Sequence, residues 1–259
     1  ADYNIAIGHN ALTSDTLGSR AIAIGRHALE TQNFTTATSN YNIGIGYNAG
    51  RLITTGQYNT LVGGLSGDAI TTGDKNTAIG TEALTTNTVG DRSVAVGYQA
   101  LFTQNPATNT DMFNVAVGNG ALFALTTATY NTAVGGNAGN AVTTGDRNTL
   151  IGGLAGDALN TGAANVAVGY RALPNATTAQ NCIAIGQSAG DQVTSGSRNI
   201  LIGRDAGVAL TTSTENVLIG YQAGDAITTG SAQNTCVGTG AGGELSLFLI
   251  PISEPTRPY

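Results

Sequence analysis

At 259 residues, with 37 glycines, 10% charged residues and no tryptophan, the chain lacks the composition of an ordinary globular core and has that of a repeat or fibrous protein. A net charge of −6, with the ten Lys and Arg scattered singly, leaves no electrostatic footprint for nucleic acid and disfavours anionic membranes. No apolar run approaches the roughly 20 residues of a bilayer span, so no membrane insertion is expected.

The chain opens at Ala1 with neither an initiator methionine nor a signal peptide, which reads as an internal fragment. From Asn4 onward a pentad of the type Asn76-Thr77-Ala78-Ile79-Gly80 recurs fourteen times, its closing glycine falling first at Gly8 and last at Gly238. Successive glycines are 17 residues apart, except for two intervals of 21, Gly25 to Gly46 and Gly97 to Gly118, and a last one of 18. A fixed period of this length is the signature of stacked repeats. Counting each unit from its asparagine, position 1 is Asn except at Ala21, Ser93 and Cys182, position 4 is Ile or Val, and position 5 is Gly. Positions 2 to 4 are short and β-branched, so each unit is predicted to open with a strand that ends where glycine permits a corner or a close approach. Position 2 shares a side with position 4, position 3 faces the other way, and apolar or small residues on both sides predict a strand covered on both faces.

In the second half of the unit, Leu at position 9 (Leu29, Leu84, Leu101) goes with a polar or small position 12, whereas Gly at position 9 goes with an apolar one (Ile53, Ile70, Leu159). Each coil therefore supplies at least one further apolar side chain from one of two places, and the coil with Leu122 and Leu125 uses both. Thr-Thr-Gly stretches such as Thr71 to Gly73 then turn the chain, and a second short strand before that turn is expected. Stacking places like positions in columns, and the Asn column is expected to hydrogen-bond up and down a body roughly 60 to 70 Å long. Cys182 and Cys236, three coils or about 14 Å apart, are too distant for a disulfide. A 17-residue coil encloses little interior, which makes homo-oligomerisation the natural remedy.

The two long units share the opening Thr31-Gln32-Asn33 and Thr103-Gln104-Asn105, and their insertions carry Phe34 and Tyr41, and Pro106, Met112 and Phe113. Insertions in a solenoid leave on one side as loops, often the binding side. Tyr47, Tyr98, Tyr170 and Tyr221 all occupy position 6, where an exposed ring could stack on a sugar or simply cover the corner. With Phe34 and Phe113 they are the candidate receptor contacts. His9 and His27 accompany no catalytic motif, and the Asp74, Asp91 and Asp146 turns lack the dense aspartates of calcium-binding rolls. No catalytic, cofactor or metal site is expected. After Glu244 the repeat stops, and Leu245 to Tyr259, with ISEPTR, resembles a translated sequencing-library adapter; a native cap is the other reading. The repeat domain is thus taken as 1–244 and the tail as 245–259.

The units NTAIG, SVAVGYQAL (Ser93 to Leu101), NVAVGYRAL (Asn165 to Leu173) and NVLIGYQAG (Asn216 to Gly224) resemble the repeats of phage tail-fibre-like and bacterial surface proteins. They are also similar to the head repeats of trimeric autotransporter adhesins. The resemblance covers residues 4 to 244 and implies an all-β parallel solenoid, a left-handed β-roll that forms a homotrimer. It departs from the adhesin head in its longer period. The function it implies is a rigid adhesive rod on a virion tail or a bacterial cell surface, extracellular, with a glycan or protein receptor. The recurring Thr pairs motivate a second reading, an ice-binding or other repetitive-surface solenoid. Against it, Asn160, Ser195 and the shifted Thr85-Thr86 interrupt the file.

Overall fold

The computed structural model describes residues 2–230 and 232–243, so the expectation about the 245–259 tail lies outside the described residues. All the secondary structure in the described residues is β. Fourteen three-residue strands, from Ile5–Ile7 to Thr235–Val237, form one parallel sheet in sequence order. Each residue lies opposite its equivalent one period later, as in Ile5 with Ile22, Thr77 with Val94 and Val217 with Thr235. The chain is a parallel β-solenoid in which each unit is one coil. No helix is long and apolar enough to cross a membrane.

The strand points only position 3 into the interior, and Ala78, Ala95, Leu61 and Leu150 are fully buried there. Positions 2 and 4 face outward and stay part-exposed, with Ile79 and Ile151 each 40% exposed. The expected cover on both faces is therefore absent from the single chain, because the narrow interior has room for only one side chain from each strand.

The expected second strand is also replaced. In most coils the second half is a pair of consecutive turns, closed for example by Ala83 N–H to the Gly80 carbonyl (3.3 Å) and Ile70 N–H to the Gly67 carbonyl (3.2 Å). Positions 7 and 9 carry positive φ, as in Glu82 (58°), Leu84 (55°) and Gly67 (53°), which no strand accommodates. The inter-coil backbone ladder nevertheless continues through these turns, with Leu84 N–H to the Ala100 carbonyl (3.0 Å) and Thr71 N–H to the Thr88 carbonyl (2.8 Å). Exceptions to the single-strand coil occur at the insertions. Gly18–Ser19 pairs with Thr38–Ser39, and Gly90–Asp91 pairs with Thr110–Asp111.

Packing accounts for the alternation between positions 9 and 12. A Cβ on Gly67 would lie 2.8 Å from the Ile70 Cδ1 and 2.8 Å from a Leu61 methyl, so an apolar position 12 fills the space that Leu would take at position 9. Where Leu84 or Leu101 stands at position 9, it is fully buried. The corner glycine is required twice over: at Gly80 φ is +132°, and a Cβ would meet the Gly97 carbonyl oxygen at 2.6 Å.

The asparagine column is the polar spine. Asn148 Oδ1 accepts from the backbone N–H of Asn165 (3.0 Å) in the next coil, while its Nδ2 donates to the Gly162 carbonyl (2.9 Å) across its own coil. Asn42, Asn59 and Asn76 repeat the pattern. Cys182 substitutes in the same column, its thiol directed at the Gly196 carbonyl (3.2 Å), and both cysteines are buried free thiols. Burial pushes the Cys182 thiol above its ordinary range. In the long coils, where position 1 is Ala21 or Ser93, a fully buried glutamine reaches in from position 12. Gln104 Oε1 accepts from Asn114 Nδ2 (3.0 Å), and Gln32 Oε1 accepts from Asn42 Nδ2 (2.8 Å).

Candidate interaction surface

The strands present one outward wall. Its centre is two columns running the length of the stack, position 2 (Ile, Val or Thr) and position 4 (Ile or Val), and neither contains a charge. Position 4 is apolar along the whole stack and position 2 adds to it except at Thr60, Thr77, Thr132, Thr149 and Thr235, and an exposed strip of this kind is a candidate contact surface. Beside position 4 lies the position 6 column. Beside position 2 lies the column formed by the last residue of each coil, here called the closing column. Tyrosines and arginines thus border an aliphatic centre, the anatomy of protein interfaces.

Tyr47, Tyr98, Tyr170 and Tyr221 are all exposed at the position 6 border. The structure does not bring them together, since other coils intervene between each and the next. Arg26 lies over Tyr47 and Arg204 over Tyr221, each 5.9 Å from the ring centroid, so an arginine from the preceding coil covers two of the four. Phe34 is 5% exposed and presents no face to solvent, which corrects its place among the candidate contacts; Met112 is fully buried too. The insertions fold back instead of projecting, with Thr38 N–H bonded to the Leu17 carbonyl (3.2 Å) and Met112 N–H to the Asp91 carbonyl (3.0 Å).

Phe113 is exposed, but as part of a group that pattern reading missed. In the closing column Tyr41 stacks on Tyr58 (centroids 5.6 Å, planes 13° apart), and Phe113 stacks on Tyr130 (5.2 Å, 19°). Arg20 lies 5.4 Å from the Tyr41 centroid and Arg92 5.4 Å from that of Phe113. The signal was available: each coil's last residue immediately precedes the next position 1, and the long units carry Tyr41 and Phe113 at the same offset. Counting only forward from each asparagine separates these residues, because the insertions change their position number.

Charges on the turn wall are locally matched. On that wall Arg171 donates to Asp191 (3.1 Å), and in the closing column Arg198 is paired with Glu215 (2.6 Å). Burial raises the Asp68 and Asp157 carboxyls above the usual carboxylate range, and Oδ1 of each is buried with no hydrogen-bond partner among the described residues. His9 and His27 meet edge to face at 5.6 Å, with His27 Nδ1 2.9 Å from Glu30 Oε1. The Glu30 carboxyl is held low, chiefly by that hydrogen bond from His27. Among the described residues no three His, Cys, Asp or Glu side chains come together as a metal site. In comparisons with known proteins the chain matches no protein-family model, no curated protein and no solved structure.

Proposed function

We propose that the chain is a structural and adhesive rod, a segment of a phage tail fibre or a bacterial surface adhesin, which works outside the cell as a homotrimer of left-handed β-rolls. The observation that carries this reading is the uncharged strip made by an unbroken Ile or Val column at position 4 and an Ile, Val or Thr column at position 2, solvent-facing in the single chain along all fourteen strands. At about 4.8 Å per coil the strip is roughly 65 Å long. Burying it removes apolar surface from water at about 25 cal/mol per Å² and supplies the cohesion that a single-file interior lacks. Copies aligned side by side would hold a receptor-binding end, or the border columns themselves, away from the surface that bears them. Sedimentation equilibrium tests the reading. A mass three times the 26.0 kDa of one chain is expected, with Ile151→Lys and Val134→Lys driving dissociation without unfolding. A folded wild-type species at the single-chain mass would overturn it.

One observation favours the ice-binding alternative. Most Thr hydroxyls at position 13 are used within the stack, as in Thr71 Oγ1 to the Thr88 carbonyl (3.1 Å), with Thr211 Oγ1 buried without a partner among the described residues, but those at position 14 are exposed. From Thr127 through Thr144, Thr161, Thr178 and Thr212 to Thr229 the file is interrupted only by Ser195, because Asn160 falls in the inner file. This single hydroxyl file lies on bends, without the parallel second file that would make a flat array. Clear thermal hysteresis would favour this alternative over the rod; none is expected.

A further inference from the structure

The closing column carries a pattern beyond the rod itself. Over eight consecutive coils its residues read Arg20, Tyr41, Tyr58, Lys75 and then Arg92, Phe113, Tyr130, Arg147: the order cation, aromatic, Tyr, cation, twice in succession. All eight are exposed, with Tyr58 at 49% and Tyr130 at 58%. Each also has positive φ, 53° at Tyr41, 58° at Tyr58, 51° at Phe113 and 58° at Tyr130. Bulky side chains are disfavoured there by about 1 kcal/mol or more, and later coils place Ala164 and Asn181 at the same site. Backbone geometry therefore does not ask for these aromatics, which contact one another and the arginines beside them while staying about half exposed.

Within each pair the rings are near-parallel with centroids more than 5 Å apart, and an arginine of the preceding coil lies over Tyr41 and over Phe113. Polar groups lie between them: the Arg20 guanidinium held by Ser39 Oγ (3.2 Å), and Arg92 held by Asp111 (2.7 Å). The cations are not a basic stripe. Asp74, Asp91 and Asp146 directly precede Lys75, Arg92 and Arg147, and Arg92 is already paired, so a polyanion meets compensated charge. What remains is a line of aromatic surface alternating with hydrogen-bonding groups. Neighbouring members are one coil, about 4.8 Å, apart, close to the length of one hexose in an extended β-linked chain, and the order itself repeats every four coils.

We propose that the closing column from Arg20 to Arg147 binds an extended, uncharged polysaccharide laid along the stack axis, its sugar rings against Tyr41, Tyr58, Phe113 and Tyr130. Arg20 and Arg92 position hydroxyl groups beside them. The inference deepens the adhesive reading by giving the rod's own flank a ligand class.

Affinity electrophoresis through gels containing a soluble β-glucan, a galactomannan or a dextran tests it, with titration calorimetry on β-linked oligosaccharides of increasing length. At least one neutral polysaccharide should retard the protein, with affinity rising until the oligosaccharide spans roughly six coils, the stretch from Tyr41 to Tyr130. Tyr58→Ala and Tyr130→Ala should each weaken binding by about tenfold, and the double variant should abolish it. Phe102→Ala with Phe123→Ala, which removes a stacked ring pair on the turn wall (centroids 5.1 Å), should leave it unchanged. Tyr58→Leu/Tyr130→Leu, which keeps apolar bulk, guards against misfolding and should also lose binding while retaining the wild-type circular dichroism and melting temperature. Retardation by none of the polysaccharides, undiminished binding in the Tyr58/Tyr130 double variants, or retention by heparin or polyuridine alone would overturn the proposal. Self-association is read separately: a single-chain mass with intact binding removes the trimer and leaves this site, and a trimer without binding does the reverse.

Discussion

The 17-residue coils and the two long coils keep the same spine with different side chains. In the coil that begins at Asn148, one asparagine bridges to its own coil and to the next, and an apolar Leu159 at position 12 fills the core. In the coil that begins at Ser93, position 1 is too short to bridge. Gln104 takes over the bridge, bonding Ser93 Oγ and Asn114 Nδ2, while Leu101 at position 9 fills the core. The difference shows that the stack conserves satisfied polar groups and filled volume, whichever residue supplies them.

The most damaging change should be one that both kinds of coil share. Gly80→Ala forces a Cβ toward the Gly97 carbonyl at a φ that L-residues resist, and should cost about 3 to 5 kcal/mol by urea denaturation. An unchanged midpoint would show that the coils can separate there. Next, Asn148→Ala deprives the Asn165 N–H and the Gly162 carbonyl of their partners and should cost about 2 to 4 kcal/mol. Gln104→Ala should cost about as much in the long coil, whereas Ser93→Asn with Gln104→Ala, which installs the regular spine, should recover most of the loss. If the double variant is no better than the single one, the equivalence between the two spines fails.

Smaller effects separate the two core arrangements. Gly67→Leu should overpack against Ile70 and Leu61 and cost about 2 kcal/mol, while Gly67→Leu with Ile70→Ala should return to within about 1 kcal/mol of wild type. The smallest effect sits at position 10, where regular coils place Asp68 and Asp157 and the long coils place Glu30 and Phe102. Burial raises the folded-state carboxyl pKa of both aspartates, so each binds its proton more tightly folded than unfolded. Their stability penalty is absent below the unfolded-state pKa and complete once pH has risen above the raised folded value. Asp68→Asn/Asp157→Asn should therefore melt about 2 °C higher at neutral pH, with the gain vanishing near pH 3. A gain that persists in acid would assign it to something other than charge burial.

How much was legible varies with the kind of interaction. The coil, the shared side of positions 2 and 4, the corner glycine and the Asn column all follow from periodicity, because stacking puts identical residues in contact. Gln32 and Gln104 were visible as shared letters but not as spine members, since a position 12 side chain reaches position 1 only through the curvature of the coil. Phe34, judged by its place in an insertion, is buried because the inserted segment pairs back onto residues 18–19. The aromatic pairs Tyr41 with Tyr58 and Phe113 with Tyr130 were hidden because the insertion offsets partners that the stack restores to one column.

By itself, the sequence determined the fourteen-coil parallel solenoid, since a 17-residue period with Ile or Val before an invariant glycine admits few other ways to bury every unit. Tertiary structure alone decided that positions 2 and 4 face outward without cover, that turns replace a second strand, and that the closing residues align as a flank. Periodicity states which residues are equivalent. Which equivalents touch, and which are left facing solvent, depends on backbone angles at positions 7, 9 and 17 that exist only once the coil has closed.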